Sequence, residues 1–192
     1  MAKLSSLTNK PNKILAIDAS TNSLAFALFH GKDLKSFGKI KYSGLTTYDK
    51  VLDAGRKTKA FLDIYGSVDA IVIEHTVFMN SPKTAADLAL VQGALLGAAG
   101  MTGVSQVKAV APITWQNFIN NKKLTKEEKF KIKQEYPDKS DSWLKTYERN
   151  LRKEKTINYI NIQYDKTVSD NDVADAIGIG HYAINNWERL TS

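Results

Sequence analysis

The alternation of apolar and polar positions divides the chain into short buried segments and longer amphipathic ones. Ile14-Leu-Ala-Ile-Asp18 is an apolar run of strand length that ends on an acid. A polar turn over Ala19–Ser23 separates it from a second strand, Leu24–Phe29, and His30-Gly-Lys-Asp33 reads as a hairpin turn before a third strand over Lys35–Tyr42. The period then becomes helical from Thr46 to Tyr65, with Val51, Leu52, Phe61, Leu62 and Tyr65 able to share one face, a threonine as N-cap and Gly66 as C-cap. Ala70-Ile-Val-Ile-Glu74 is another apolar run ending on an acid, and its lack of alternation predicts a strand covered on both sides.

A second helix is predicted from Ser81-Pro82 to Ala99 or Gly100, with proline in its first turn. Ser105–Val110 reads as a fifth strand. Beyond Pro112 the composition shifts, and residues 121–157 form a basic, Lys- and Glu-rich insertion broken by Tyr136-Pro137-Asp138. Ile157–Tyr164 fits either a short strand or a helix end. A last helix from about Ser169 to Trp187 places Val173, Ile177, Gly180, Ile184 and Trp187 on its apolar face. The fold class predicted is α/β: a mixed five-stranded sheet flanked by helices, in one domain spanning residues 1–192 with a polar tail at 1–13.

Composition narrows the chemistry. The chain has 192 residues, 43% hydrophobic and 24% charged, which is ordinary for a globular protein. No apolar run reaches the roughly 18–20 residues that span a bilayer. With no cysteine and three histidines, disulfides, thiolate sites and His-rich zinc sites are set aside, and the expected location is cytoplasmic. A metal here would be held by oxygen, which favours Mg²⁺, with Mn²⁺ as the alternative. The net charge of +7 suits a polyanionic partner such as nucleic acid.

Four acids carry the candidate chemistry. Asp18 and Glu74 each close an apolar strand, where an open sheet presents its ligands, although strands also simply end in polar residues. Asp172 and Asp175 stand three apart on the last helix, so their like charges share a face and call for a cation. The alternative for Asp172 is capping: Ser169 as N-cap with an acid three positions on resembles a capping box. Converging, the four would form a site for two divalent ions acting on a phosphodiester. Lys122, Lys123, Lys126, Lys129, Lys131 and Lys133 are candidates for phosphate contacts, or form a solvated face of Glu–Lys pairs.

Ile17-Asp-Ala-Ser-Thr21, Ile73-Glu-His-Thr-Val-Phe-Met79 and Asn171-Asp-Val-Ala-Asp-Ala-Ile177 resemble, in order and spacing, the three acidic motifs of RuvC-type Holliday junction resolvases, a family of RNase H-like fold. Asp87-Leu-Ala-Leu-Val-Gln-Gly-Ala-Leu95 is similar to the helix after the second motif, and the likeness covers about Ile14–Val110 and Ser169–His181. The resemblance implies a crossover junction endonuclease acting as a homodimer on four-way DNA, with Asp18, Glu74, Asp172 and Asp175 holding the metal ions. It also implies that Phe78 stacks on bases near the crossover, or else packs in the core, and that the helix over Lys83–Ala99 contributes a dimer interface through Ala94, Gly97, Ala98 and Ala99. The long insertion departs from the family's bacterial members and suggests a divergent, phage-encoded branch. Three other readings stand beside it: a nuclease of the same fold acting on flaps or other branches, a branched-DNA binding protein without catalysis, and an actin-like phosphotransferase, whose first phosphate loop Ile17–Thr21 also resembles. The last requires a second domain and a second glycine-rich loop that the sequence lacks.

Overall fold

A computed structural model describes residues 10–66, 68–75 and 81–190. Five strands, β1 (Lys13–Ala19), β2 (Ser23–His30), β3 (Asp33–Lys41), β4 (Ala70–Glu74) and β5 (Gln106–Val110), form one sheet in the order β3-β2-β1-β4-β5. The first three make an antiparallel meander, whereas β1, β4 and β5 run parallel and are joined by helical crossovers. Helices α1 (Thr47–Tyr65) and α2 (Pro82–Gly100) cover one face, and α6 (Asn171–Asn186) crosses the other. The remaining helices are α3 (Pro112–Phe118), α4 (Lys126–Glu135) and α5 (Asp141–Tyr164).

Alternation along the strands assigns every residue a side. Leu15 and Ile17 of β1, Leu24, Phe26 and Leu28 of β2, and Ile71 of β4 pack with Ala54, Phe61, Leu62, Val91 and Leu95 of α1 and α2. Ile14 and Ala16, Ala25, Ala27 and Phe29, and Ala70 and Val72 face α6 instead. The alanines are small for a reason: α6 lies almost on the sheet. A Cβ placed at Gly180 would stand 2.2 Å from Phe29 Cε2 and 3.0 Å from Ala16 Cβ. Residues 173, 174 and 176–184 are accordingly all buried, making α6 a central helix rather than one with a single apolar stripe.

Several local expectations change. Leu52 is exposed, because the buried stripe of α1 runs through Ala54, Thr58, Phe61 and Leu62. The N-cap of α6 is Asp170, not Ser169: its carboxylate accepts from the backbone N–H groups of Asp172 and Val173, and no capping box forms. Ile157–Tyr164 is the last part of α5, a helix of 24 residues. Helix α3 was not foreseen; Pro112 opens it directly after β5. Ala98 and Ala99 of α2 are buried against the chain's own core, whereas Gly93, Gly97 and Gly100 have open space where a Cβ would be.

Candidate active site

The register of the sheet lines up the chemistry. Asp18 pairs with Ala25 of β2, and Ala25 with Lys39 of β3. On the other side, the parallel β1–β4 ladder ends at Ile17–Ile73, so Asp18 and Glu74 are the next residues on adjacent strands, and Glu74 pairs with Val110. Lys39, Ala25, Asp18, Glu74 and Val110 thus form one row across all five strands. Parity sends Asp18, two residues after Ala16, and Glu74, two after Val72, to the side that α6 covers. Helix α6 brings Asp172 and Asp175 there from 154 and 157 positions along the chain, as the residue numbers give.

The four acids sit in unequal surroundings. Burial, followed by the charges of Glu74, Asp175 and Asp172, pushes the Asp18 carboxyl up from its ordinary 3.8 to about 8, with Lys39 opposing. Burial and then Glu74 and Asp172 push Asp175 up to about 7, opposed by Lys153 and Arg152 of α5. Burial also raises Glu74, against a hydrogen bond that Trp115 donates to it. Among the described residues, nothing donates a hydrogen bond to Asp18 or Asp175. Asp172 differs: it is 42% exposed in its side chain and accepts from Lys39 Nζ. Lys39 also reaches Asp170 Oδ2 at 3.1 Å, and these hydrogen bonds, the one to Asp172 foremost, raise its own pKa.

Two residues outside the foreseen set therefore shape the site. Trp115 is fully buried, and its Nε1–H donates to Glu74 Oε1 at 2.7 Å. Its ring is accommodated by Gly178, where a Cβ would come within 2.6 Å of Cζ3. Lys39 is the other. Neither carries a sequence signal, since each meets its partner only through the tertiary fold.

Helix α5 is fixed to α6 by His181, whose Nε2 lies 3.0 Å from the Tyr159 hydroxyl and whose Nδ1 lies 2.7 Å from that of Tyr164. This clamp sets Arg152 and Lys153 near Asp175. Asn121 Nδ2 donates to the Arg152 carbonyl at 2.7 Å and to Thr156 Oγ1 at 2.9 Å, tying the start of the basic segment 121–157 to α5. Lys122, Lys123, Lys126, Lys131 and Lys133 are exposed. Lys129 pairs with Glu148 at 2.9 Å and Lys133 with Asp141, so the ion pairs of α4 run to α5 rather than within the helix. His75 is exposed, and its backbone N–H donates to the Val110 carbonyl at 2.8 Å. Phe78 lies outside the described residues.

Among the described residues, no three acidic or histidine side chains stand in a closed metal-binding arrangement. The donors nonetheless suit a hard divalent ion. Asp18, Glu74 and Asp175 offer carboxylate oxygens from three elements, their charges oppose one another, and two of them lack a protein donor among the described residues. A cation among them would supply the missing counter-charge.

No protein-family model matches the sequence, and no curated protein does. Solved structures do. RuvC of Thermus thermophilus in complex with a Holliday junction substrate superposes with a TM-score of 0.65 at 16% identity, over 91% of this chain and 96% of that one. The chain has the fold of RuvC. Another structure of T. thermophilus RuvC gives a TM-score of 0.64 at 15% identity, over 93% and 98% of the two chains. The yeast mitochondrial Holliday junction resolvase gives 0.51 at 10% identity, over 89% and 77%. The carboxylate row occupies the side of the sheet closed by α6.

Proposed function

We propose that this protein is a metal-dependent endonuclease that resolves branched DNA, four-way Holliday junctions above all, by paired and symmetric phosphodiester hydrolysis. One observation supports the reading: on a RuvC fold, Asp18, Glu74 and Asp175 lie close enough for their charges to oppose one another, and neither Asp18 nor Asp175 has a hydrogen-bond donor among the described residues. Asp18, Glu74, Asp172 and Asp175 are the metal ligands, and the ions are Mg²⁺ or Mn²⁺, two when the site is full. When bound, such ions stabilise the attacking and leaving oxygens of an in-line displacement at phosphorus.

The chain's own residues prepare that site. Trp115 fixes one oxygen of Glu74 and leaves Oε2 for a cation, as outer-shell donors do for metal-ligating carboxylates. Arg152 and Lys153 bring positive charge to the Asp175 side, suited to a phosphate strand entering there. Lys122, Lys123, Lys126 and Lys131 contribute phosphate contacts along the insertion, with Lys129 and Lys133 joining when DNA displaces their acidic partners. Phe78 stacks on bases at the crossover. Symmetric cutting calls for two copies, and Gly93, Gly97 and Gly100 offer an α2 surface on which a second copy packs closely.

The test is incubation of the protein with synthetic four-way junction, flap and linear duplex DNA in Mg²⁺ or Mn²⁺, with EDTA and ATP controls. The expected result is paired nicks in the junction, suppressed by EDTA and indifferent to ATP. Junction binding without cutting in either metal would favour a non-catalytic binding protein; phosphate transfer from ATP would favour the phosphotransferase.

A further inference from the structure

Lys39 divides the acidic cluster in two. It occupies the same row of the sheet as Asp18, two strands away, and Ala25 between them has nothing beyond Cβ to obstruct a long side chain crossing toward α6. Its Nζ donates to Asp172 and lies 3.1 Å from Asp170 Oδ2 and 3.4 Å from Oδ1. The side chain is 24% exposed, so its aliphatic stem is packed and the ammonium is held in place. Asp170 and Asp172 therefore have an internal counter-ion. Asp18, two strands away, and Asp175, one helical turn beyond Asp172, have no hydrogen-bond donor among the described residues.

We infer that Lys39 is a built-in cation that withholds Asp172 from metal, so that the DNA-free protein takes one divalent ion, on Asp18, Glu74 and Asp175, with the ammonium standing in for a second. The inference rests on the reading of these acids as metal ligands. Its basis is charge accounting: a monovalent ammonium bonded to Asp172 neutralises the ligand that a second ion needs, and it repels that ion at close range. A lysine is suited to this role because its charge is compact and its stem is long enough to be displaced without moving β3.

The experiment is Mn²⁺ titration of the full chain without DNA, by calorimetry and by electron paramagnetic resonance of the free ion. The wild type is expected to bind one Mn²⁺ per chain. Lys39→Met, which keeps the stem and removes the charge, should bind two, the second at least about tenfold tighter than any weak second site of the wild type. Lys39→Arg retains a cation and should return the count to one. Circular dichroism with Mn²⁺ present checks that each variant is folded, and the arginine variant carries the test if the methionine variant is not: two ions in it would overturn the inference. Two ions in the wild type, or one in Lys39→Met, would overturn it while leaving the metal reading intact. No Mn²⁺ bound by any of the three would overturn both.

Discussion

The indole of Trp115 donates a 2.7 Å hydrogen bond to Glu74, from a helix that begins 38 residues after the strand it serves, as the numbering shows. A buried donor of this kind holds the carboxylate in one rotamer and counters the effect of burial on its proton affinity. Trp115→Phe keeps the ring packed in the space left by Gly178 and removes the N–H. Glu74 should then hold its proton more strongly, and Mn²⁺ affinity near pH 6.5 should fall by roughly 10–100-fold, with near-native circular dichroism. Unchanged affinity would show that the hydrogen bond does not set the ligand.

Asp18 and Asp175 hold their protons more tightly in the folded protein, with values of about 8 and about 7, than in the unfolded chain near 3.8. From about pH 4 to about pH 8 the native state therefore binds more protons than the unfolded state. The stability this confers is complete below pH 4 and is lost as the pH rises through the folded values, at most about 1.4 kcal/mol per pH unit for each group. Melting temperature in EDTA should drop by up to roughly 10–20 °C between pH 5.5 and 8.5. Mg²⁺ or Mn²⁺ should reduce the drop, and Asp18→Asn should flatten it. A level wild-type profile in EDTA would contradict the charge assignments.

Asp18→Asn or Asp175→Asn should abolish junction cleavage, by at least about a thousandfold on the scale of lost charge stabilisation, and leave junction binding intact. The separation follows from the proposed roles, in which the acids hold metal and the lysines hold phosphate. Gel shift and cleavage on the same labelled junction measure both, and wild-type cutting by either variant would remove these residues from the site.

Replacing Lys122 and Lys123 together by alanine should weaken DNA binding and flatten its salt dependence by about two units of log–log slope, roughly 0.9 for each phosphate no longer neutralised. Fluorescence anisotropy across a KCl series gives the slope. An unaltered slope would mean that these exposed lysines only solvate the insertion.

Gly180→Ala would force a methyl group into Phe29 and Ala16, neither of which has room to retreat. Overpacking of this kind costs about 1–3 kcal/mol, or more, and urea denaturation should show a loss in that range. Because α6 would be lifted from the sheet, metal affinity should fall with it.

The strands and the four acids were legible because each is announced locally. Apolar runs of five residues ending in Asp18 and Glu74, and two aspartates three apart on a helix, need no knowledge of the partners. Parity then decided the rest: both strand acids fall on the face with Ala16 and Val72, and the Ala25–Ala27 pair marks the close approach of α6. Trp115 and Lys39 were not legible, because their meaning lies in partners 41 and 133 residues away. Ser169 and Asp170 are both good caps, and only the geometry chose between them. Helix α5 was blurred because few of its residues, Leu144, Thr156 and Ile160, are buried, so its periodic signal is diluted by charge.

The docking of α6 also has a temporal side. Asp18 and Glu74 are in place once β1 and β4 have paired, but Asp172 and Asp175 belong to the helix that is synthesised after every strand of the sheet. While that helix is still inside the ribosome, the growing chain holds half of its acidic apparatus and an uncovered apolar face. Convergence of the four acids thus coincides with closure of the core over the α6 face.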